Sequence, residues 1–501
     1  MYRFTTLLLL SSILFISLIS AQSTPTNPSC VFWVSSLSKD DTNCTISNPC
    51  SNLKAAIILA NDVTANCTTT DTRYIYMIPD GDYKGKGNVE FSVDIITSGI
   101  EEINIVVSSA DLPADINNVV YPLANQSSKN VVINGEYNAF LIRFYPNKAL
   151  YTFIGIDFIN GNARGNVGYP LYVNEAPSVS FKSCTFQNNR GNKGGMLFIS
   201  SVFSTSNITD CQFINNTGTL ESGAVYIRQS FGINILNTTF QSNTASQGGA
   251  LYVLNSNIVV NNCQFTNNNA TNNGGAIYVS GSNVAANLGW RMNTFSKNTA
   301  VLGGAIYDTV STIRYYNLNL TGNIASGKGG ATYFLDSSSG IFKSVFANNS
   351  AAQGGAVFTV DSFPKGNQLL ISESNFTMNM ASVGGALYCN SSTARMNFQN
   401  TFEKNSAENA DTAVEYCSIT CLTTNKECGC TKGCGLPPPP VTVVTNSTET
   451  KIAIAIFVPV TAILLGLVGY LIWKTNKNKS KMQQRAFDEI RLTPNNDNEQ
   501  L

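Results

Sequence analysis

The sequence contains no histidine. That removes every Ser-His-Asp and Cys-His catalytic arrangement, every imidazole metal ligand and every histidine proton shuttle. Charge is also scarce. Only 12% of residues are charged, and the 31 basic and 31 acidic groups cancel. About a quarter is usual for globular chains. A neutral chain with so little charge has no electrostatic footprint for nucleic acid, and none is expected as a partner. Carboxylate, lysine, tyrosine and cysteine chemistry remain open. Asparagine, in contrast, is abundant, which favours turns over helices.

Long apolar runs occur at two places only. Residues 1–21 read as a secretory signal, with Arg3, an apolar stretch from Leu7 to Ile19, and small Ala21 at the cleavage point. Ile452 to Trp473 is uncharged for 22 residues. At ~1.5 Å per residue, a helix of that length crosses the hydrocarbon of a bilayer. Lys474, Lys477, Lys479, Lys481 and Arg485 follow directly. They place residues 474–501 in the cytoplasm and residues 22–451 outside. The expected location is the plasma membrane or another secretory-pathway membrane, with a single-pass type I orientation. The expected balance is then uneven. The exterior segment carries 24 basic and 27 acidic groups, and the tail carries 6 and 4.

Cysteines and sequons fit an exterior segment. All 13 cysteines precede residue 435, where disulfides are permitted. Twelve Asn-x-Ser/Thr sequons in residues 22–451 mark candidate glycosylation sites: Asn43, Asn66, Asn125, Asn207, Asn215, Asn237, Asn269, Asn319, Asn348, Asn375, Asn390 and Asn446.

A repeat occupies the middle of the chain. It reads Phe-x-x-Asn-x-Ala, then Gly-Gly-Ala-aliphatic-aromatic. Copies start at Phe158, Phe186, Phe213, Phe240, Phe265, Phe295, Leu320, Phe346, Phe376 and Phe402, spaced by 25 to 30 residues. Short β-branched runs alternate with Gly-Gly and Asn clusters, and no helical stripe is present. One copy therefore predicts one coil of two or three short strands in a parallel β-helix. Stacked at ~4.8 Å, ten coils span ~48 Å. Each position then stacks on itself. Phe240, Phe295, Phe346 and Phe376 belong to an aromatic ladder, and Asn243, Asn298, Asn349 and Asn379 to an amide ladder at a turn.

This double motif resembles the repeat of bacterial polymorphic outer-membrane proteins. The resemblance covers residues 155–415 and implies a right-handed parallel β-helix used in surface adhesion. Those proteins end in an outer-membrane barrel, whereas this chain ends in an apolar helix, so the secretion route does not carry over. Residues 22–154 are similar to the opening of pectin-lyase-like β-helices. Val31-Phe-Trp-Val34 reads as a first strand, Leu53 to Ile58 as a short helix that plugs the open end, and Tyr74 to Tyr83 as the first coil.

Pectin-lyase-like rods include enzymes that cut polysaccharides, so catalysis is the alternative class. It needs grouped carboxylates. The best pair is Asp336 and Asp361, each three residues after its coil's aromatic, with Lys343 and Lys365 nearby. Between residues 180 and 400 the polygalacturonase motifs Asn-Thr-Asp, Asp-Asp, His-Gly and Arg-Ile-Lys are absent. Candidate ligand contacts are Tyr226, Tyr252, Tyr278, Tyr307, Tyr333 and Tyr388, at the end of the Gly-Gly-Ala strands. Strand parity puts these rings and the preceding aliphatics on opposite faces, without saying which faces the core. The rings are either an exposed stripe or the core itself.

The cysteines divide into three sets. Cys30, Cys44, Cys50 and Cys67 belong to the N-terminal cap, with three possible pairings. Cys184, Cys211 and Cys263 precede the repeat Phe by two and are expected to be buried thiols. Cys389, Cys417, Cys421, Cys428, Cys430 and Cys434 are expected to close the C-terminal end of the rod as disulfides, and residues 416–435 read as a Cys-rich membrane-proximal cap. No paired spacing for a metal is present, and no cofactor is expected. Residues 436–451 read as a Pro/Thr-rich stalk. The expected whole is an all-β solenoid glycoprotein on a single helix, binding a glycan, matrix or cell-surface ligand without catalysis.

Overall fold

The computed structural model describes residues 31–39, 44–61 apart from 46, 73–93 apart from 80, 103–108, 131–163 apart from 139 and 146–148, 168–361 apart from 177, 193 and 285–288, 368–408 apart from 397–398, and 415–421. All belong to the first of two compact units, Met1–Pro437. The signal segment, the stalk, the apolar stretch 452–473 and the tail lie outside the described residues. Among the described residues no helix is long and apolar enough to cross a membrane.

The described chain is a parallel β-solenoid of about nine turns. Each coil from Ile142 to Val383 has four strands, not two or three. The coil around Tyr226 shows the order: Val225–Arg228, Phe231–Leu236, Thr239–Gln241 and Thr244–Gln247. We call the stacked columns a, b, c and d. Every inter-coil pairing is parallel, and columns a and c keep register from Leu171 to Leu387, as in Val225↔Leu251 and Phe240↔Phe265, whereas column d shifts register within its strands, as between Ala245 and Gln247. The extra strand exists because the d segment, which carries the Asn-x-Ala half of the repeat, also pairs with its neighbours.

Corners between strands require left-handed backbone, and this explains the asparagines. Asn237 between b and c, and Asn215 and Asn348 between c and d, all have φ between 50° and 55°. Asparagine tolerates that region better than most side chains. The Gly-Gly pair forms the corner between d and a. Its first glycine is left-handed, as at Gly303 (φ 64°). Its second glycine has no room for a side chain. A Cβ on Gly304 would lie 2.1 Å from the carbonyl oxygen of Gly330 in the next coil.

The core is two stacked ladders. Phe186, Phe213, Phe240, Phe265 and Phe295 stack with centroids 4.4 to 4.9 Å apart and rings within 9° of parallel. Leu320 interrupts the stack, which resumes from Phe346 to Phe402. Beside it runs the amide ladder, fully buried. Asn243 Nδ2 donates to Asn268 Oδ1 at 3.0 Å and to the Phe213 carbonyl at 2.9 Å. Its Oδ1 accepts from the backbone N–H and Nδ2 of Asn216. The pattern repeats through Asn298, Asn349, Asn379 and Asn405. From Asn216 to Asn379 both amide protons and both carbonyl lone pairs are used at each rung, so a buried polar group carries no desolvation deficit.

The N-terminal end is covered by the helix Leu53–Asn61. Asn52 Oδ1 caps it by accepting the Ala55 N–H at 2.9 Å. Leu53, Ala56, Ile57 and Ala60 are buried against the first coils. The buried Arg73 guanidinium donates to the Ala60 carbonyl at its C-terminus. Cys44 and Cys50 form a disulfide in this cap. Cys30 and Cys67 lie outside the described residues.

Candidate functional site

The Gly-Gly-Ala strand of column a settles which side its aromatics take. Leu197, Val225, Leu251, Ile277, Ile306, Val357 and Leu387 point into the main core. The rings that alternate with them point outward, as strand parity requires. They nevertheless do not form an exposed stripe. Tyr226, Tyr307 and Tyr333 are 5 to 7% exposed and Phe358 is fully buried, while Tyr252, Tyr278 and Tyr388 are half-buried. The rings cover one another. Tyr252, Tyr278, Tyr307, Tyr333, Phe358 and Tyr388 stack at 4.6 to 5.1 Å with interplanar angles of 4 to 7°. The corner leading in from column d closes over their edges, with Leu302 packed on the stack and Lys328 Nζ 4.8 Å over Phe358. The outer face of column a is therefore a second, thin core whose surface shows ring edges rather than ring faces. Burial pushes the Tyr226 phenol up to about 12, with Glu221 adding to the shift. These hydroxyls stay protonated donors at neutral pH.

Polar groups border this face on both sides. Tyr169 OH donates to Glu221 Oε2 at 3.3 Å on the d side. Arg228 ends its a strand on the b side, its guanidinium 5.8 Å from the Phe198 ring. Phe203 and Phe231, both exposed, stack at 5.8 Å on the corner beyond it.

Asp336 and Asp361 are brought together in adjacent coils. Leu335 pairs with Val360, and the Asp336 N–H donates to the Val360 carbonyl at 3.0 Å. Burial, then the Asp336 charge, raises the Asp361 carboxyl to about 6. The nearby lysine does not serve the pair, because Lys343 Nζ is 3.5 Å from Glu373. Lys365 lies outside the described residues. A carboxyl raised above its unfolded value favours the fold fully below that value, near 4, and the contribution is lost as pH rises through about 6. Asp361→Asn is thus expected to raise the melting temperature above pH ~7 and to leave it little changed below pH ~4. Thermal unfolding of the two chains at both pH values measures this.

The sequence reading passed over Asp308. It sits at an inward position of column a and is completely buried. Its Oδ2 accepts from Tyr315 OH at 2.9 Å and Ser339 Oγ at 2.7 Å, and its Oδ1 from Ser337 Oγ at 3.0 Å. Burial raises its pKa and these hydroxyls oppose the rise. Parity was the available signal, since Ile306 and Asp308 must share a face. Enclosed in the core, Asp308 has no route to a substrate. Among the described residues no three Cys, Asp or Glu groups converge as a metal site.

Of the sequons on described residues, Asn215, Asn237, Asn269, Asn319, Asn348 and Asn375 are exposed and belong to columns b, c and d or their corners. Asn207 in column b is half-buried, its Oδ1 accepting from Asn234 at 2.9 Å. Asn390, exposed, ends column a in the last coils. Asn43, Asn66, Asn125 and Asn446 lie outside the described residues. Cys184, Cys211 and Cys263 are buried free thiols. Cys389 is disulfide-bonded and buried in column a, where it pairs with Thr359 of the neighbouring coil. The side chains of Cys417 and Cys421, and all of Cys428, Cys430 and Cys434, lie outside the described residues.

Residues 237–254, 262–280 and 294–309 match the Chlamydia polymorphic membrane protein repeat. The matched segments are three successive coils, each with its Phe of column c and its Gly-Gly-Ala strand of column a. The chain carries repeats of this type on a parallel β-solenoid. No curated protein and no solved structure matches it at a significant level.

Proposed function

We propose that the chain is a surface-displayed, non-catalytic recognition rod, and that its contact face is the outer side of column a. In this reading the solenoid is right-handed, enters the secretory route, is N-glycosylated and is held by the apolar segment 452–473 as a type I membrane glycoprotein. The observation that carries it is the distribution of sequons. They populate columns b, c and d, whereas column a is free of them from Leu171 to Val360. A glycan on an exposed asparagine blocks close approach. The one flank left bare is also the flank with half-buried aromatics and polar tips, which suit contact with a glycan or a protein. The resemblance to polymorphic outer-membrane proteins points the same way, toward surface adhesion.

The test is binding of the detergent-solubilised full-length chain to a glycan array and to cells, alongside a polysaccharide-cleavage assay. Binding without cleavage is expected. The alternative, a carbohydrate-active enzyme, draws on the raised Asp361 carboxyl beside Asp336. Cleavage that disappears in the Asp336→Ala, Asp361→Ala double variant would replace the binding reading with that one.

A further inference from the structure

From Leu171 to Val360, charge on the outer face of column a is confined to its corners. Glu221 and Arg228 bracket the strand Val225–Arg228, with Glu221 on the d side and Arg228 on the b side. Four coils on, Lys328 and Asp336 bracket the strand Thr332–Leu335, with Lys328 on the d side and Asp336 on the b side. The order of signs is therefore reversed between the two strands. The registers tie these positions together. Glu221, Gln247, Asn273, Leu302 and Lys328 form one column. Arg228, Leu254, Ser280, Thr309 and Leu335 form the other, with Asp336 next in the chain. Between the charged strands the outward positions hold Tyr252, Tyr278 and Tyr307 and no charge. The result is a rectangle about 19 Å long, four coils at ~4.8 Å, with alternating signs at its four corners.

We propose that this face binds a second copy of the chain. The inference rests on the reading of column a as the contact face and names the partner of that same face. A rectangle of alternating charges is complementary to itself under a two-fold axis in the plane of the face that runs either along the rod or across it. With the copies running the same way, Arg228 meets the partner's Glu221, and Asp336 meets the partner's Lys328. With the copies running in opposite directions, Arg228 meets the partner's Asp336, and Glu221 meets the partner's Lys328. Either contact is isologous and closes as a dimer. A second copy also has the same coil rise, so the ridges of ring edges stay in register along the whole contact. The half-buried Tyr252 and Tyr278 occupy the middle of the rectangle, where the anchors of an interface belong. No sequon lies on the rectangle.

The experiment uses the full-length chain in detergent, in two epitope-tagged forms, with co-precipitation read at low and high salt. All variants carry Asp361→Asn, so that Asp336 alone defines its corner. The parent chain is expected to co-precipitate at low salt and to weaken as salt rises. Arg228→Glu with Lys328→Glu makes every corner acidic and is expected to reduce association about tenfold or more. Two charge swaps then separate the geometries. Arg228→Asp with Asp336→Arg preserves only the opposite-direction dimer. Lys328→Glu with Asp336→Arg preserves only the same-direction dimer. One swap must associate and the other must not, with all chains showing the parent's melting temperature. Failure of the parent to associate overturns the proposal, as does association of the all-acidic variant or the same outcome for both swaps. A chain that stays monomeric yet binds cells through column a overturns the dimer and leaves the proposed function standing.

Discussion

Gly304→Ala is expected to cost at least about 4 kcal/mol, the range reserved for a change the structure cannot absorb. The added Cβ would lie 2.1 Å from the Gly330 carbonyl oxygen and 2.7 Å from the Ile324 carbonyl carbon. Both are backbone atoms of the neighbouring coil, so no side-chain rotation relieves the contact. The coils would have to separate, breaking the Gly304 to Gly329 backbone hydrogen bond of 3.0 Å. Gly322→Ala is the control. Gly322 is left-handed (φ 65°), but the nearest atom to a Cβ there is Lys297 Cγ at 3.9 Å. Its cost is the left-handed penalty alone, about 1–2 kcal/mol. Denaturant unfolding compares the two, and limited proteolysis should nick the Gly304→Ala chain near the opened coils. Similar stability for both variants would show that the corner is not sterically closed.

Asn298→Leu is expected to lose about 4 kcal/mol, although leucine is close in volume and apolar. The amide of Asn298 donates to Asn323 Oδ1 and to the Phe265 carbonyl, and accepts from the N–H and Nδ2 of Asn268. Replacing it takes a partner from four buried groups, of which Asn323 Oδ1 keeps the residue 298 N–H and Asn268 Nδ2 keeps the Phe240 carbonyl; each lost bond costs roughly 1–3 kcal/mol with incomplete additivity. Asn272→Ala makes the contrast. Asn272 is exposed and donates to Ser246 Oγ at 2.9 Å, so its loss should stay within about 0.5 kcal/mol. Because a solenoid is stabilised coil by coil, the Asn298→Leu chain should also unfold over a broader denaturant range. Equal stability of these two asparagine variants would mean the ladder is incidental to the fold.

The repeat spacing was enough to identify the coil and the stacking of its copies, but not the fourth strand. Each copy start from Phe158 to Phe402 stacks on the next in column c. This was legible because a solenoid translates a fixed period directly into neighbours in space. The cap helix was legible for a similar reason, since Leu53, Ala56, Ile57 and Ala60 follow helical spacing. The exposure of the tyrosines was not. Parity gives the side of a strand, but the cover over Tyr307 comes from Leu302 and from the rings above and below. The ring contacts are between residues a coil apart. The charge rectangle was hidden in the same way. Glu221 and Lys328 are more than a hundred residues apart, and only the register between coils places them on one line.

The account centres on column a as the face that meets a ligand, and a glycan wedge tests that most directly. Ser280→Asn creates an Asn-Gly-Ser sequon in the middle of the face, where Ser280 is half-buried and outward. Gln264→Asn creates an Asn-Phe-Thr sequon on the exposed side of column c, like those at Asn319 and Asn375. The full-length chain with each change would be expressed on cells, its glycan confirmed by a gel shift reversed by an N-glycosidase, and its adhesion measured. The account predicts that the Ser280→Asn chain loses adhesion and the Gln264→Asn chain keeps it. Adhesion that survives a glycan at Ser280, or that is lost with one at Gln264, would contradict it.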